Sequence, residues 1–134
     1  MKKNGILNAP LSKVIASLGH TDRLVICDSG LPIPRDAELV DLALTKNIPR
    51  FLDTLKIILE EFAVEKAIVA EEIIQKNGDL FKEVENLLNS ISIQKVSHEE
   101  FKQKTRENGT VVFVRTGEAT PYANIILIAG VTFG

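Results

Sequence analysis

The sequence predicts an α/β fold: a single domain over residues 1–134, with a largely parallel central sheet of about six strands and helices packed on it. Three observations predict it. Apolar runs of strand length alternate with stretches whose apolar residues recur at helical spacing. Gly and Pro punctuate the junctions. The chain is long enough to bury one sizeable core, and no linker, internal repeat or low-complexity tract divides it.

Asn8-Ala9-Pro10 opens the first helix, with Pro10 near the first turn, where its missing N–H costs nothing. Leu11, Val14, Ile15 and Leu18 continue it at helical spacing for about ten residues, and Gly19 is a natural stop. Arg23 to Cys27 is a short apolar run that reads as a buried strand. Asp28-Ser29-Gly30-Leu31-Pro32-Ile33-Pro34 suits neither helix nor central strand and is expected to be a loop. Glu38 to Leu44 alternates imperfectly and predicts a second strand. Ile48-Pro49 opens a helix carrying Phe51, Leu55, Ile58, Leu59 and Phe62. Lys66 to Ala70 predicts a third strand. Residues from roughly Asp79 to Leu88 predict a helix with Leu80, Val84, Leu87 and Leu88 on one face. Ser92 to Val96 follows as a fourth strand. Ser97 and Glu100 then form a capping box, which places a helix start at His98. Val111 to Val114 and Asn124 to Ala129 complete the sheet.

Composition excludes several classes. Apolar residues make up 45% of the chain and charged residues 25%, with a net charge of −2. Nucleic-acid binding usually needs a basic face, and here the lysines are scattered (Lys46, Lys56, Lys66, Lys76, Lys82), so no nucleic-acid partner is expected. A lone cysteine, Cys27, forbids an internal disulfide and a cysteine zinc cluster; within an apolar strand it reads as a small core residue. The longest strongly apolar run, Ile125 to Val131, is far short of a membrane span. Met1 to Gly5 carries basic residues with no long apolar core behind them, unlike a signal peptide. A cytoplasmic protein without a membrane partner is expected. There is no phosphate-binding Gly-x-x-x-x-Gly-Lys-Ser/Thr loop, no Gly-x-Gly-x-x-Gly turn, no His-Glu-x-x-His and no Gly-x-Ser-x-Gly elbow. Two histidines make a histidine-rich metal site improbable.

What remains are polar groups at strand ends, where open α/β sheets bind ligands. His20 lies between a helix end and the first strand. It reads equally as a cation at a helix C-terminus or as a titratable site group. Asp28 follows the same strand, either capping loop amides or contacting a ligand. His98, taken alone, reads as an exposed first-turn residue. Arg115 to Asn124 is a polar loop between two apolar strands: a plain hairpin-like connection, or a hydrogen-bonding rim for a polyhydroxyl ligand. In the second reading Tyr122, the only tyrosine, offers a hydroxyl and a ring face, and Asn124 offers donor and acceptor. Glu71 and Glu72 read as a solvated helix start before they read as site carboxylates. The chain ends Ile125 to Gly134 almost wholly apolar, which predicts burial in the core or against another subunit.

Five separated stretches carry a resemblance: Asn4-Gly5-Ile6-Leu7-Asn8, Leu18-Gly19-His20-Thr21-Asp22, Asp28-Ser29-Gly30-Leu31-Pro32, Ser97-His98-Glu99-Glu100-Phe101, and Arg115 through Asn124. In order and spacing they resemble the signature stretches of the D-ribose pyranase family, of the same superfamily as L-fucose mutarotases. The resemblance spans essentially the whole chain. Ser29 departs from it, since the family often has alanine there. The resemblance implies an isomerase that interconverts the β-pyranose and β-furanose forms of D-ribose and supplies ribokinase in ribose utilisation. It implies His20 as proton donor, and Asp28, His98, Tyr122, Ala123 and Asn124 as substrate contacts. It further implies no metal or organic cofactor, and a ring-shaped homodecamer of two pentameric rings with the site formed where subunits meet. Two alternatives are an L-fucose-type mutarotase and a non-catalytic ribose-binding partner of a sugar transporter.

Elementary chemistry agrees with that implication. Changing ring form requires opening the hemiacetal and closing it through a different hydroxyl. Opening delivers a proton to the ring oxygen and removes one from the anomeric hydroxyl. Histidine exchanges protons near neutral pH, and general acid–base catalysis contributes roughly 10²–10⁴-fold. A carboxylate such as Asp28 can orient a hydroxyl or favour the protonated imidazole.

Overall fold

Strand β1 (Arg23–Cys27) reads Arg-Leu-Val-Ile-Cys and is buried on both faces beyond its first residue. A continuous apolar run is what a strand covered on both sides requires. The computed structural model describes residues 1–134. In chain order the other elements are α1 (Ala9–Ser17), β2 (Glu38–Asp41), α2 (Phe51–Glu61), β3 (Val64–Ala70), α3 (Glu71–Lys76), α4 (Gly78–Leu88), β4 (Ser92–Val96), α5 (His98–Lys104), β5 (Val111–Arg115) and β6 (Ile125–Ala129).

The six strands form one sheet in the order β2-β5-β1-β6-β3-β4. β1 pairs parallel with β5, β5 with β2, and β3 with β4. β6 alone runs antiparallel, wedged between β1 and β3. The expected α/β class and largely parallel sheet are therefore present, with the last strand as the exception. Alternate side chains go to opposite faces. Leu24, Ile26, Val112, Val114, Ile125 and Leu127 join α1, α2 and α4 in the larger cluster. Val25, Phe113 and Ile126 join Phe101 of α5 in the smaller one. Cys27 lies in that second cluster, its thiol pushed up to about 12 by burial and by the neighbouring Asp28 charge. It stays a protonated core side chain.

Several boundaries differ from expectation. β2 ends at Asp41 instead of Leu44. Leu42 N still donates to Arg115 O, but Ala43 N turns to Asp41 Oδ1 and the chain folds back through a Thr45–Ile48 bridge. β3 begins two residues early, at Val64. The helix start read at Glu71 and Glu72 is present as the short α3, with both residues in its first turn, where acidic groups favour the helix dipole. The apolar C-terminus divides. β6 is central and buried, whereas Val131 and Phe133 beyond it are exposed, Phe133 by 80%. No helix is long and apolar enough to cross a membrane.

Candidate active site

The carboxyl ends of β1, β4 and β5 and the start of antiparallel β6 share one edge of the sheet. Loops leaving that edge enclose a cavity of about 350 Å³, lined by Asp28 to Pro32, His98 and Glu118 to Tyr122. That is the small end of the range for ligand pockets.

Asp28 directly follows β1 and is one of two buried carboxylates lining the cavity, the other being Glu118. Its Oδ1 accepts from Gly30 N at 2.9 Å, the short-range turn bond that aspartate makes with the backbone two residues on. Its own N–H donates to Asn124 Oδ1 at 2.8 Å. Burial raises the Asp28 carboxyl above its ordinary value, against hydrogen bonds from the Gly30 and Leu31 backbone, the polar Asn124 side chain nearby and the His98 charge. Asn124 is itself buried, and its Nδ2 has no partner within the chain.

His98 is the first residue of α5, after Ser97 caps the helix by accepting from Glu100 N. The expected capping box thus holds on the serine side. His98 N donates to Glu72 at 3.0 and 3.1 Å, so a carboxylate of α3 anchors the start of α5. The imidazole stacks on Phe101, centroids 6.5 Å apart, and meets the Tyr122 ring edge-on at 5.1 Å. Its Nδ1 is buried without a partner. Buried polar atoms are nearly always hydrogen-bonded in proteins, so two unspent ones, on His98 and Asn124, mark a place suited to a polar ligand. Tyr122 takes a left-handed backbone (φ 66°) and closes a tight turn, with Asn124 N donating to Tyr122 O. Ala123, expected at the site, is fully buried in the main core and does not line the cavity.

His20 is elsewhere. It precedes β1, at the opposite edge of the sheet, beside a second hollow of about 360 Å³ that includes Gly130 and Phe133. A five-residue strand separates it from Asp28, about 16 Å at roughly 3.3 Å per residue. Its Nε2 lies 2.9 Å from Glu65 Oε2. One chain therefore gathers Asp28, His98, Tyr122 and Asn124 and leaves His20 outside the cluster.

Glu118 belongs to the polar loop singled out above, but its role is visible only in three dimensions. The buried carboxylate accepts from Phe51 N at 3.0 Å, Thr120 Oγ1 at 2.8 Å and Arg50 Nη2 at 2.9 Å. It supplies the cap that Arg50, the residue before α2, does not make with its own side chain. Burial pushes the Glu118 carboxyl up, yet the Arg50, Phe51 and Thr120 hydrogen bonds outweigh it and hold the group below the ordinary carboxylate range. Gly117 lies flat against the 45–49 segment, its N–H donating to Pro49 O; a Cβ there would run into the carbonyls of Thr45 and Ile48. The loop's shape thus rests on contacts with residues about seventy positions earlier. A local pattern cannot show them.

Comparison with known proteins gives the site its context. Residues 1–132 match the RbsD / FucU transport protein family. A D-ribose pyranase of Coprothermobacter proteolyticus is 56% identical over 133 residues, covering 99% of this chain and 100% of that protein. Bacillus subtilis RbsD, solved complexed with D-ribose, is 50% identical with a TM-score of 0.93, over 99% of this chain and 100% of that one. Fucose mutarotase from Streptococcus pneumoniae, solved in complex with L-fucose, shares the fold (TM-score 0.79, 95% of each chain) at 22% identity. The match runs through every strand and both site-forming loops, and this chain belongs to the RbsD / FucU family.

Proposed function

We propose that this chain is an isomerase interconverting the β-pyranose and β-furanose forms of D-ribose by acid–base ring opening and closure. The observation that carries the reading is the end-to-end identity of 56% to a D-ribose pyranase. The geometry supplies the chemistry. The Asp28 carboxyl accepts a sugar hydroxyl. The unspent Nδ1 of His98 and Nδ2 of Asn124 hydrogen-bond others, the Tyr122 ring covers an apolar face, and Ala123, buried in the core behind them, holds Tyr122 and Asn124 in place. His20 is the proton donor to the ring oxygen. Because it lies at the far edge of its own sheet, it reaches the sugar held by Asp28 only from a second copy of the chain. A closed ring of subunits satisfies this for every site, and we assign a homodecamer of two pentameric rings. Histidine and carboxylate suffice for hemiacetal opening, so the mechanism draws on no metal or organic cofactor. The protein acts in the cytoplasm, where it supplies ribokinase with the furanose form during ribose utilisation.

L-Fucose is the competing substrate, and at 22% identity the fucose mutarotase contributes the fold alone. Saturation-transfer NMR on each sugar, with and without protein, separates the readings. Faster exchange for ribose than for fucose is expected. Ribose binding with no acceleration would make the chain a non-catalytic ribose-binding partner of a transporter instead.

A further inference from the structure

His20 sits in a turn whose backbone is fastened at every side. Thr21 N donates to Ala129 O, Ala129 N to Asp22 O, and Gly19 N to the Asp22 carboxylate at 2.7 Å. The backbone is therefore fixed, but the imidazole is not packed: half its side-chain surface is open, and its one hydrogen-bonding partner is Glu65.

Glu65 reaches that position through an irregularity in the sheet. Val64 pairs with Ala129 and Lys66 with Ile128, so two steps of β3 span one step of β6 and Glu65 is the extra residue. A bulge of this kind re-aims one side chain, and bulges are over-represented beside active sites. Here it turns the Glu65 carboxylate toward the edge where β1 begins and β6 ends. Gly130, just past β6, packs its Cα against Glu65; a Cβ there would come within 3.3 Å of Glu65 N and Cβ. Within one chain both side chains are about half exposed, and ion pairs of that exposure seldom add much to stability. An irregular strand and a close-packed glycine serving a contact of so little structural worth call for another role.

We propose that Glu65 is a positioning residue for catalysis: its carboxylate holds Nε2 of His20, fixes the ring plane, and leaves Nδ1 free to exchange the proton with the sugar. The inference rests on His20 being the proton donor. A carboxylate on the far nitrogen of a working histidine is a recurrent way of fixing ring orientation, and its loss there costs about tenfold or more.

The test is a double-mutant cycle in ribose ring exchange, with Glu65→Ala, Glu65→Gln and His20→Ala. Glu65→Ala is expected to lower kcat about tenfold with KM for ribose unchanged. Glu65→Gln, whose amide oxygen still accepts from Nε2–H, should retain most of the rate. In the His20→Ala background Glu65→Ala should cost nothing more. Carbon-13 relaxation at His20 Cε1 gives a second readout: the ring should become more mobile in Glu65→Ala, with thermal stability unchanged. Should His20→Ala fall to the uncatalysed rate, this relaxation decides, and an unchanged ring would overturn the proposal. An equal loss from Glu65→Ala in both backgrounds would also overturn it. A fully active Glu65→Ala beside an inactive His20→Ala removes Glu65's role and leaves the donor standing. A fully active His20→Ala removes both.

Discussion

Asn124 and Asp28 are tied across the junction of β6 and β1: the buried Asn124 Oδ1 accepts the Asp28 N–H at 2.8 Å. One asparagine therefore fixes the backbone of the carboxylate it stands beside. Asn124→Ala leaves that buried N–H without an acceptor, and stability should fall by about 2 kcal/mol in urea unfolding. Ribose affinity should fall with it, because the same change removes Nδ2. An Asn124→Ala protein of wild-type stability would show that another group satisfies Asp28.

Asp28 should display a conflict between stability and binding. Burial raises its carboxyl above the unfolded value of 3.8. Such a group favours the native state in its protonated form, fully below the unfolded value, and that advantage is lost as pH rises through the raised native value. Ionising Asp28 in the folded protein thus costs stability. Asp28→Asn, which can keep the Gly30 contact, should raise the thermal midpoint at pH 7, with the gain vanishing as pH falls below 3.8. Ribose affinity should drop roughly tenfold or more, the usual loss for a charged acceptor. A midpoint lowered at pH 7 would contradict the sign.

Glu118 behaves in the opposite sense. Its hydrogen bonds hold the carboxyl below the unfolded value of 4.5, so its contribution is present above that pH and lost as acid protonates the native carboxylate. Removing it strands the Phe51 N–H and Thr120 hydroxyl and breaks the Arg50 pair. Glu118→Ala should cost about 2–3 kcal/mol at pH 7. Urea unfolding in acid should show the gap to wild type narrowing.

Gly117→Ala tests the clamp between the site loop and the 45–49 segment. The added methyl meets backbone carbonyls, which cannot move aside as a side chain could. Destabilisation of about 1–3 kcal/mol is expected by chemical denaturation.

The fold was largely legible because its strands are continuous apolar runs and its helices amphipathic. Ser92–Val96 and Arg23–Cys27 fall where expected. β2 was overextended because Leu42 and Leu44 prolong an apolar pattern into a turn held by non-local bonds. That β6 runs antiparallel in mid-sheet is a matter of connection, which periodicity does not encode. Among site residues, Asp28 and the Tyr122–Asn124 loop were marked by polar groups at strand ends. His98 was not legible alone, since its setting between Phe101 and Tyr122 joins residues more than twenty positions apart. Glu65 and Glu118 were illegible for the same reason: each matters through a partner more than forty residues away.

The most direct measurement is the rate of ribose pyranose–furanose exchange by saturation transfer with wild type, His20→Ala, Asp28→Ala, and the two variants co-expressed. Wild type should accelerate exchange; His20→Ala alone should lose about 10²-fold or more of that acceleration, and Asp28→Ala alone roughly tenfold or more. The mixed assembly should recover part of it, because some sites then pair an intact Asp28 with an intact His20 from another copy. Wild-type protein that binds ribose and leaves exchange at the uncatalysed rate would contradict the account.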